Sequence, residues 1–387
     1  MAITPHWFRK RRTKLALGFA FAYLIVELAA LPLVAAYAPL QLRMKLPGPL
    51  FILSQSSKAG LLPHDWTLVL GDSYSHGYGD WLTTVMGDPG NPAFHSTHVL
   101  HELTGTDVMS FGHGGAGSMK GMVYLLEKRL TALRRTGISD PGQIIVFVYE
   151  GNDFVDNLKE TLRYGELQPG DSEAQLTSHC AARARSGFWA GVSGTFFFPA
   201  MIINATKGRQ GLRPDAMGTN LLPFDAPPDA APDPSATNVV RVGDDLFRFI
   251  GPAQGPPLGL DEAQLGWGLT TLKVSLNWLK GRFDEVPVRV VFLPSPLSCY
   301  ELASSQVLVD SSGSAEVSFE ASLIEPYHRD IVERVRTTVT DAGLEFLDAT
   351  GALREAARQH PIHGPLDGAH FNRAGYEALG RALAARQ

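Results

Sequence analysis

A serine stands at position 73, where an apolar run meets a polar turn in LVLGDSYSHGYGDWL (68–82). Near the other end of the chain an aspartate and a histidine lie three residues apart in LDGAHFN (366–372). A serine hydroxyl is a poor nucleophile until a base within hydrogen-bond reach takes its proton, and that base needs a third group to orient it. Ser73, His370 and Asp367 are residue types suited to those three roles, with His370 as base and Asp367 as its orienter. Taken singly, each has a plainer use. A Ser after an Asp caps a helix, and a DxxH before a helix is a cap followed by a surface histidine. YEGNDF (149–154) contains an ordinary turn dipeptide.

The elements that must carry these groups are legible as an alternation. Short apolar runs at Thr67 to Leu70, Val108 to Phe111, Ile144 to Tyr149, Val288 to Leu293 and Leu344 to Leu347 have the length and bounding of buried strands. Helical patterns separate them, clearest over 118–137, over 327–343 and in the terminal NRAGYEALGRALAARQ. Such alternation argues for an α/β fold, a parallel sheet covered by helices on both faces, with ligands at the carboxyl ends of the strands. Ser73 follows the first strand there, SFGHGGAGS (110–118) the second and YEGNDF the third.

Four groups in this order, GDS, SFGHGGAGS, YEGNDF and LDGAHFN, resemble the SGNH or GDSL family of hydrolases over residues 66–160 and 285–387. The resemblance implies a three-layer αβα, flavodoxin-like fold, a catalytic triad of Ser73, Asp367 and His370, and no cofactor or metal. It also implies an oxyanion hole made by the backbone N–H groups of Ser73 and Gly112 and the side-chain amide of Asn152. Gly112 suits that place because without a Cβ it permits close backbone approach. One departure is Ser110, where the family often has Asn, which puts a supporting hydrogen bond in doubt. Asp72 and Asp153 read as braces of their loops, and His76, Asp80 and Trp81 as pocket-lining or packing residues. GHGGAG (112–117) also fits G-x-G-x-x-G, but the acidic partner of a dinucleotide site would fall near residue 137, not at a strand end. HGGA mimics a lipase oxyanion loop, yet the chain has no G-x-S-x-G elbow.

Charge and composition set the remaining bounds. Of the net −5, residues 1–45 hold +6, seven basic residues against Glu27, which leaves −11 on the rest. An acidic body argues against nucleic acid as a partner. RKRRTK precedes an apolar stretch from Leu15 to Leu42 broken only by Glu27, and about 20 apolar residues span a bilayer. That pattern predicts a cytoplasmic basic segment (1–14), a transmembrane anchor (15–42), a linker (43–65) and an exported domain (66–387), by the positive-inside rule. An insertion is expected at about 158–281, rich in Pro, Asp and Ala and including PFDAPPDAAPDPSATN (223–238), with GTFFFPAMI and DDLFRFIG offering aromatic surfaces for sugar rings. Two cysteines, Cys180 and Cys299, leave a disulfide open.

Together these readings describe a membrane-anchored, periplasmic or extracellular serine esterase-type enzyme that forms an acyl-serine intermediate. Its expected substrate is an O-acetyl ester of a cell-envelope or exported polysaccharide. The same triad would serve a polysaccharide O-acetyltransferase, with a membrane protein as acyl-donor partner. A catalytically idle glycan-binding assembly protein is the third class, separable from the others by its inertness toward small esters.

Overall fold

Apolar runs with no polar face to offer solvent become strands buried on both sides, and four such strands, with a fifth at the edge that is partly exposed, build one parallel sheet. The computed structural model describes residues 6–30, 33, 52–53, 57–60, 62–87, 92–134, 136–165, 167–193, 224–225, 236–249, 251–310, 317–364 and 367–386. Its central strands are β1 (Thr67–Leu70), β2 (Val108–Ser110), β3 (Gln143–Tyr149), β4 (Val288–Leu293) and β5 (Glu345–Asp348), arranged β5-β4-β3-β1-β2. All four pairings are parallel, with Leu68 opposite both Met109 and Ile144. The order reverses direction between β1 and β3, which opens a crevice at the carboxyl ends of those two strands.

Side chains alternate across this sheet into two cores. Leu68, Leu70, Ile144, Val146, Val290 and Phe292 point to one; Val69, Ile145, Phe147, Tyr149, Val291 and Leu293 point to the other. The helices are α1 (His6–Ile25), α2 (Ser73–His76), α3 (Asp80–Gly87), α4 (Ser96–Thr104), α5 (Leu126–Arg134) after a π-helical turn at Met119–Leu125, α6 (Asp153–Gly165), α7 (Glu173–Ser193), α8 (Glu262–Arg282), α9 (Pro296–Cys299), α10 (Ile324–Asp341), α11 (Thr350–Gln359) and α12 (Arg373–Ala384). The first core is closed by α5 to α8 and α10, through Leu130, Leu176, Leu272 and Val335 among others. The second is closed by α2 to α4, α11 and α12, through Tyr74, Trp81, Leu100, Leu353 and Leu379.

The stretch 158–281 is in large part structured. It holds α7 and α8, each 21 residues long, and α8 opens with a capping box between Asp261 and Gln264. DDLFRFIG contributes the strand Asp245–Phe249 of a small antiparallel sheet, with Phe249 buried in the second core. GTFFFPAMI and most of PFDAPPDAAPDPSATN lie outside the described residues. Within the expected linker, Ile52 and Leu53 are buried in the first core and Ser57 pairs with Val108.

The expected transmembrane helix is overturned, and with it the membrane-anchored, exported placement. Among the described residues no helix is long and apolar enough to cross a membrane. The reason lies in where the helix begins. Lys and Arg are good helix formers, so α1 starts at His6 and spends its first half on RKRRTK instead of opening at Leu15. Its apolar remainder, Leu15 to Ile25, rises about 17 Å against the roughly 30 Å of a hydrocarbon core. Beyond Ile25 the helix changes to a π-helical turn, Val26–Ala30, that contains Glu27. Apart from Leu33, residues 31–42 of the expected span lie outside the described residues.

Cys180 and Cys299 are both free. Each is buried, one in either core, so the sheet lies between them.

Candidate active site

β1 delivers Ser73 through a tight turn. Gly71 leaves the strand at φ +146°, a backbone conformation that side chains disfavour, and a Cβ there would meet Phe147 Cβ at 3.0 Å. Asp72 then caps α2, its Oδ1 accepting from the Tyr74 backbone N–H at 3.0 Å. Gly77, in the left-handed region, ends that helix after one turn. Ser73 is thereby fixed at the first residue of a short helix over the crevice, 6% exposed.

The loop before α12 brings the histidine to it from 297 residues away. His370 Nε2 lies 2.9 Å from Ser73 Oγ, and His370 Nδ1 lies 2.7 Å from Asp367 Oδ2. The other oxygen of Asp367 accepts from the backbone N–H groups of Ala369 (2.9 Å) and His370 (3.2 Å), so the carboxylate is held at both ends. The loop is tied to the serine turn as well. The Tyr74 hydroxyl donates to the Ala369 carbonyl, and the Tyr376 hydroxyl donates to the Tyr78 carbonyl. Gly79 approaches so closely that a Cβ would meet the Phe371 carbonyl oxygen at 2.7 Å.

Electrostatics favour charge separation along this line. Burial works against the charged imidazole of His370, but the Asp367 carboxylate and its hydrogen bond outweigh burial and raise the His370 pKa above 6.5. Burial likewise works against the Asp367 carboxylate, and His370 with the two backbone donors overcomes it, holding Asp367 below the ordinary value. The imidazole is thus primed to hold a proton and the carboxylate to face it.

Gly112 and Asn152 stand at the ends of the strands on either side of β1. Gly112 lies against the α2 backbone, where a Cβ would come within 2.3 Å of the His76 nitrogen and 2.5 Å of the Ser75 carbonyl carbon. Only glycine fits. Its carbonyl pairs with His76 Nδ1 at 2.9 Å and receives the buried Arg129 guanidinium at 3.3 Å, while its N–H donates to Ser110 Oγ at 3.2 Å. Ser110 in turn donates to the Ser75 carbonyl, so this hydroxyl links the second strand end to the serine turn. Asn152 accepts the Asp156 N–H at its carbonyl, opening α6, and its side-chain Oδ1 is buried without a hydrogen-bond partner. Among the described residues neither Gly112 nor Asn152 bonds to Ser73 itself.

The structure therefore brings Ser73, His370 and Asp367 into one hydrogen-bonded line and sets Gly112 and Asn152 on the flanking loops. His76 and Trp81 are buried packing residues: burial lowers His76 to about 4, and the Trp81 indole donates to the Pro92 carbonyl. Asp80 is pushed up to about 6 by burial and, more weakly, by the Asp367 charge. Of the four glycines of GHGGAG, three make close internal contacts, and Gly115 turns the chain at φ +61° with open space beside it. Gly112 meets α2, and Gly117 approaches Asn157, whose Oδ1 a Cβ would meet at 2.8 Å.

Several site residues carry no signal in the sequence. Tyr78 lays its ring 5.6 Å from the His370 ring and 5.3 Å from the His76 ring, and nothing in its neighbours marks it out. Arg129 reaches the Phe111 and Gly112 carbonyls from mid-helix. Asp153, by contrast, reads as a loop brace in the sequence, and its Oδ2 accepts from the Tyr149 N–H at 2.8 Å while its Oδ1 is buried and unpartnered.

No protein-family model matches the chain, and no curated protein matches it. Among solved structures, one crystal structure is similar at 12% identity and a TM-score of 0.33, over 83% of this chain and 95% of that one. A likeness of that size carries no argument about fold or function.

Proposed function

We propose that this chain is a serine esterase-type enzyme, similar to the SGNH hydrolases, that carries an acyl group on Ser73. The observation that supports this best is the continuous line Ser73 Oγ to His370 Nε2 at 2.9 Å and His370 Nδ1 to Asp367 Oδ2 at 2.7 Å. As Oγ attacks the ester carbonyl carbon, its proton passes to Nε2, and the imidazolium so formed faces the Asp367 carboxylate. The tetrahedral oxyanion needs preorganised donors. The Asn152 carboxamide and the Gly112 amide, released from its long bond to Ser110, fill that role in this reading. His370 then returns the proton to the leaving alcohol, and a second round with an incoming hydroxyl frees Ser73.

Without the anchor nothing ties the acyl group to an envelope polysaccharide or a membrane-bound donor, and the proposed reaction is acyl transfer from carboxylic esters. Water and a sugar hydroxyl are equally open to activation by His370, and the same acyl-enzyme serves a hydrolase and an O-acyltransferase. The test is hydrolysis of p-nitrophenyl acetate with and without oligosaccharide acceptors, together with mass analysis of the trapped acyl adduct. Turnover by the native chain, an acetyl group on the peptide containing Ser73 and loss of at least about 10⁴-fold in Ser73→Ala are expected. Full activity in Ser73→Ala refutes the reading. Acetylated oligosaccharide among the products identifies the transferase.

A further inference from the structure

The Ser73 hydroxyl has one proton and two neighbours able to take it. His370 Nε2 lies 2.9 Å from Oγ, and Asp72 Oδ2 lies 3.1 Å from it. An ionised Asp72 would compete with His370 for that proton, and a hydrogen bond to a carboxylate is stronger than one between neutral groups. It would also set a negative charge next to the atom that must attack, close to where the oxyanion forms.

The surroundings of Asp72 oppose that charge. Its side chain is 1% exposed, and among the described residues no cationic side chain forms an ion pair with it. Its carboxyl oxygens meet the Tyr74 N–H at Oδ1 and the Ser73 hydroxyl at Oδ2. On α6, Asp153 and Asp156 are pushed up by burial and then by any charge on Asp72, so an ionised Asp72 would face two further acids, and Asp153 Oδ1 and Asp156 Oδ2 are buried without hydrogen-bond partners. A carboxylate taken out of water without a counter-ion is costly, and like charges add to the cost. Burial is the largest influence on Asp72 and acts toward the protonated form. The Tyr74 amide, the charged form of His370 and the groups of Ser73 act the other way. Tyr74, Tyr149 and Tyr376, the other titratable groups around it, have their phenols raised well above 10 by burial and stay neutral.

We propose that Asp72 is a further catalytic residue of this site, a neutral carboxylic acid that donates its O–H from Oδ2 to Ser73 Oγ. The inference rests on the esterase reading. With Oγ accepting from Asp72, the serine proton has a single acceptor, His370 Nε2. In the acylation step the bond from Oγ to the acyl carbon forms, the hydroxyl proton moves to Nε2, and the bond to the alcohol breaks as that proton is handed to the alcohol oxygen. Asp72 keeps its own proton throughout and stabilises the charge that builds on Oγ before the new bond is complete. The cap on α2 fixes the division of labour, since Oδ1 is engaged by Tyr74 and only Oδ2 is turned to the serine.

Three substitutions, assayed on p-nitrophenyl acetate beside Ser73→Ala, test this. Asn mimics the neutral acid, its carbonyl capping Tyr74 and its NH₂ donating to Oγ. Ser can cap but has no second polar atom for Oγ, and Ala has neither. The expected result is that Asp72→Asn keeps kcat/KM within about threefold with the low-pH limb in the same place. Asp72→Ser and Asp72→Ala each lose roughly tenfold, the size of one hydrogen bond. Thermal melts separate lost folding from lost turnover, and Asp72→Ser, which retains a cap, covers the case in which the Ala variant fails to fold. Asp72→Asn falling as far as Asp72→Ala, or its low-pH limb moving down, would show an ionised Asp72 supporting His370 and overturn the proposal. Asp72→Ser matching Asp72→Asn would overturn it too, by reducing Asp72 to a cap. An unaffected Ser73→Ala would instead strike the esterase reading itself.

Discussion

Two trios of serine, histidine and acid lie at the carboxyl edge of the sheet, and they are wired in opposite order. At Ser73 the imidazole is the middle member, with serine on Nε2 and carboxylate on Nδ1. At Ser295 the carboxylate is the middle member. Glu150 Oε2 accepts from the Ser295 hydroxyl (2.6 Å) and N–H (2.8 Å), Oε1 pairs with His328 Nδ1 (2.7 Å), and His328 Nε2 turns away to Thr350 Oγ1 at 3.4 Å. A proton leaving Ser295 meets a carboxylate or the Ser298 hydroxyl, 3.1 Å away, each a far weaker base than imidazole. Ser295, Glu150 and His328 are also fully buried, whereas the His370 side chain is 16% exposed. The same residue types make a nucleophile in one place and a structural clamp in the other, and the difference is which side chain sits in the centre.

This contrast can be broken first at the serines. Beside the loss in Ser73→Ala, Ser295→Ala should leave turnover of p-nitrophenyl acetate within a few-fold of native; a comparable loss in both would erase the distinction. Next in size, Asp367→Asn should lower kcat by about 10⁴-fold with little change in melting temperature, because it spoils the tautomer and the partner of His370. The pH profile sharpens the point. His370 must be neutral to accept the proton, so kcat/KM should fall as pH drops through a value above 6.5. In Asp367→Asn the limb should move lower, since burial, now less opposed, disfavours the imidazolium. A limb that stays put assigns it to another group.

The clamp should answer in stability instead. Glu150→Gln is expected to cost about 3 kcal/mol in denaturant unfolding while turnover well below the melting point persists, because it takes the carboxylate away from two buried partners, Ser295 and His328. Burial works against the Glu150 carboxylate, but His328 and Ser295 together lower its pKa below 4.5. Its contribution is therefore present above that value and fades as pH falls through the lower folded one, and this acid dependence should shrink in the variant. Back at the catalytic line, Asn152→Ala should lower kcat by roughly 10²- to 10³-fold if its amide meets the oxyanion. An unchanged rate would make Asn152 a turn residue.

How much of this was legible in the sequence follows from the range of each signal. The strands announced themselves because a parallel sheet buried on both faces demands near-continuous apolar runs such as IIVFVY, and β1 and β4 begin and end where the runs do. Ser73 and the Asp367–His370 pair were visible because each is a local group at an element boundary. Glu150 and His328 were not, for they are 178 residues apart and each looks unremarkable among its neighbours. Asp72 was read as a brace because its capping oxygen is a local matter, whereas the acids that crowd it come from α6. The step from basic to apolar residues at Leu15 is a boundary of charge and not of helix, because Lys and Arg form helix well and α1 runs straight through it from His6.

The two lone thiols have a use that neither core has for them. Burial drives both toward the unreactive protonated form, Cys180 to about 12, with the neighbouring Glu160 charge adding to the effect. A thiol reacts as its thiolate, and only when reagent can reach it. Cys180 on α7 and Cys299 on α9 lie on opposite sides of the sheet, so each reports the opening of its own layer and is silent about the other. In a pulse of thiol reagent under native conditions, the order in which the two are modified gives the order in which the two layers come apart, with no probe added to the chain.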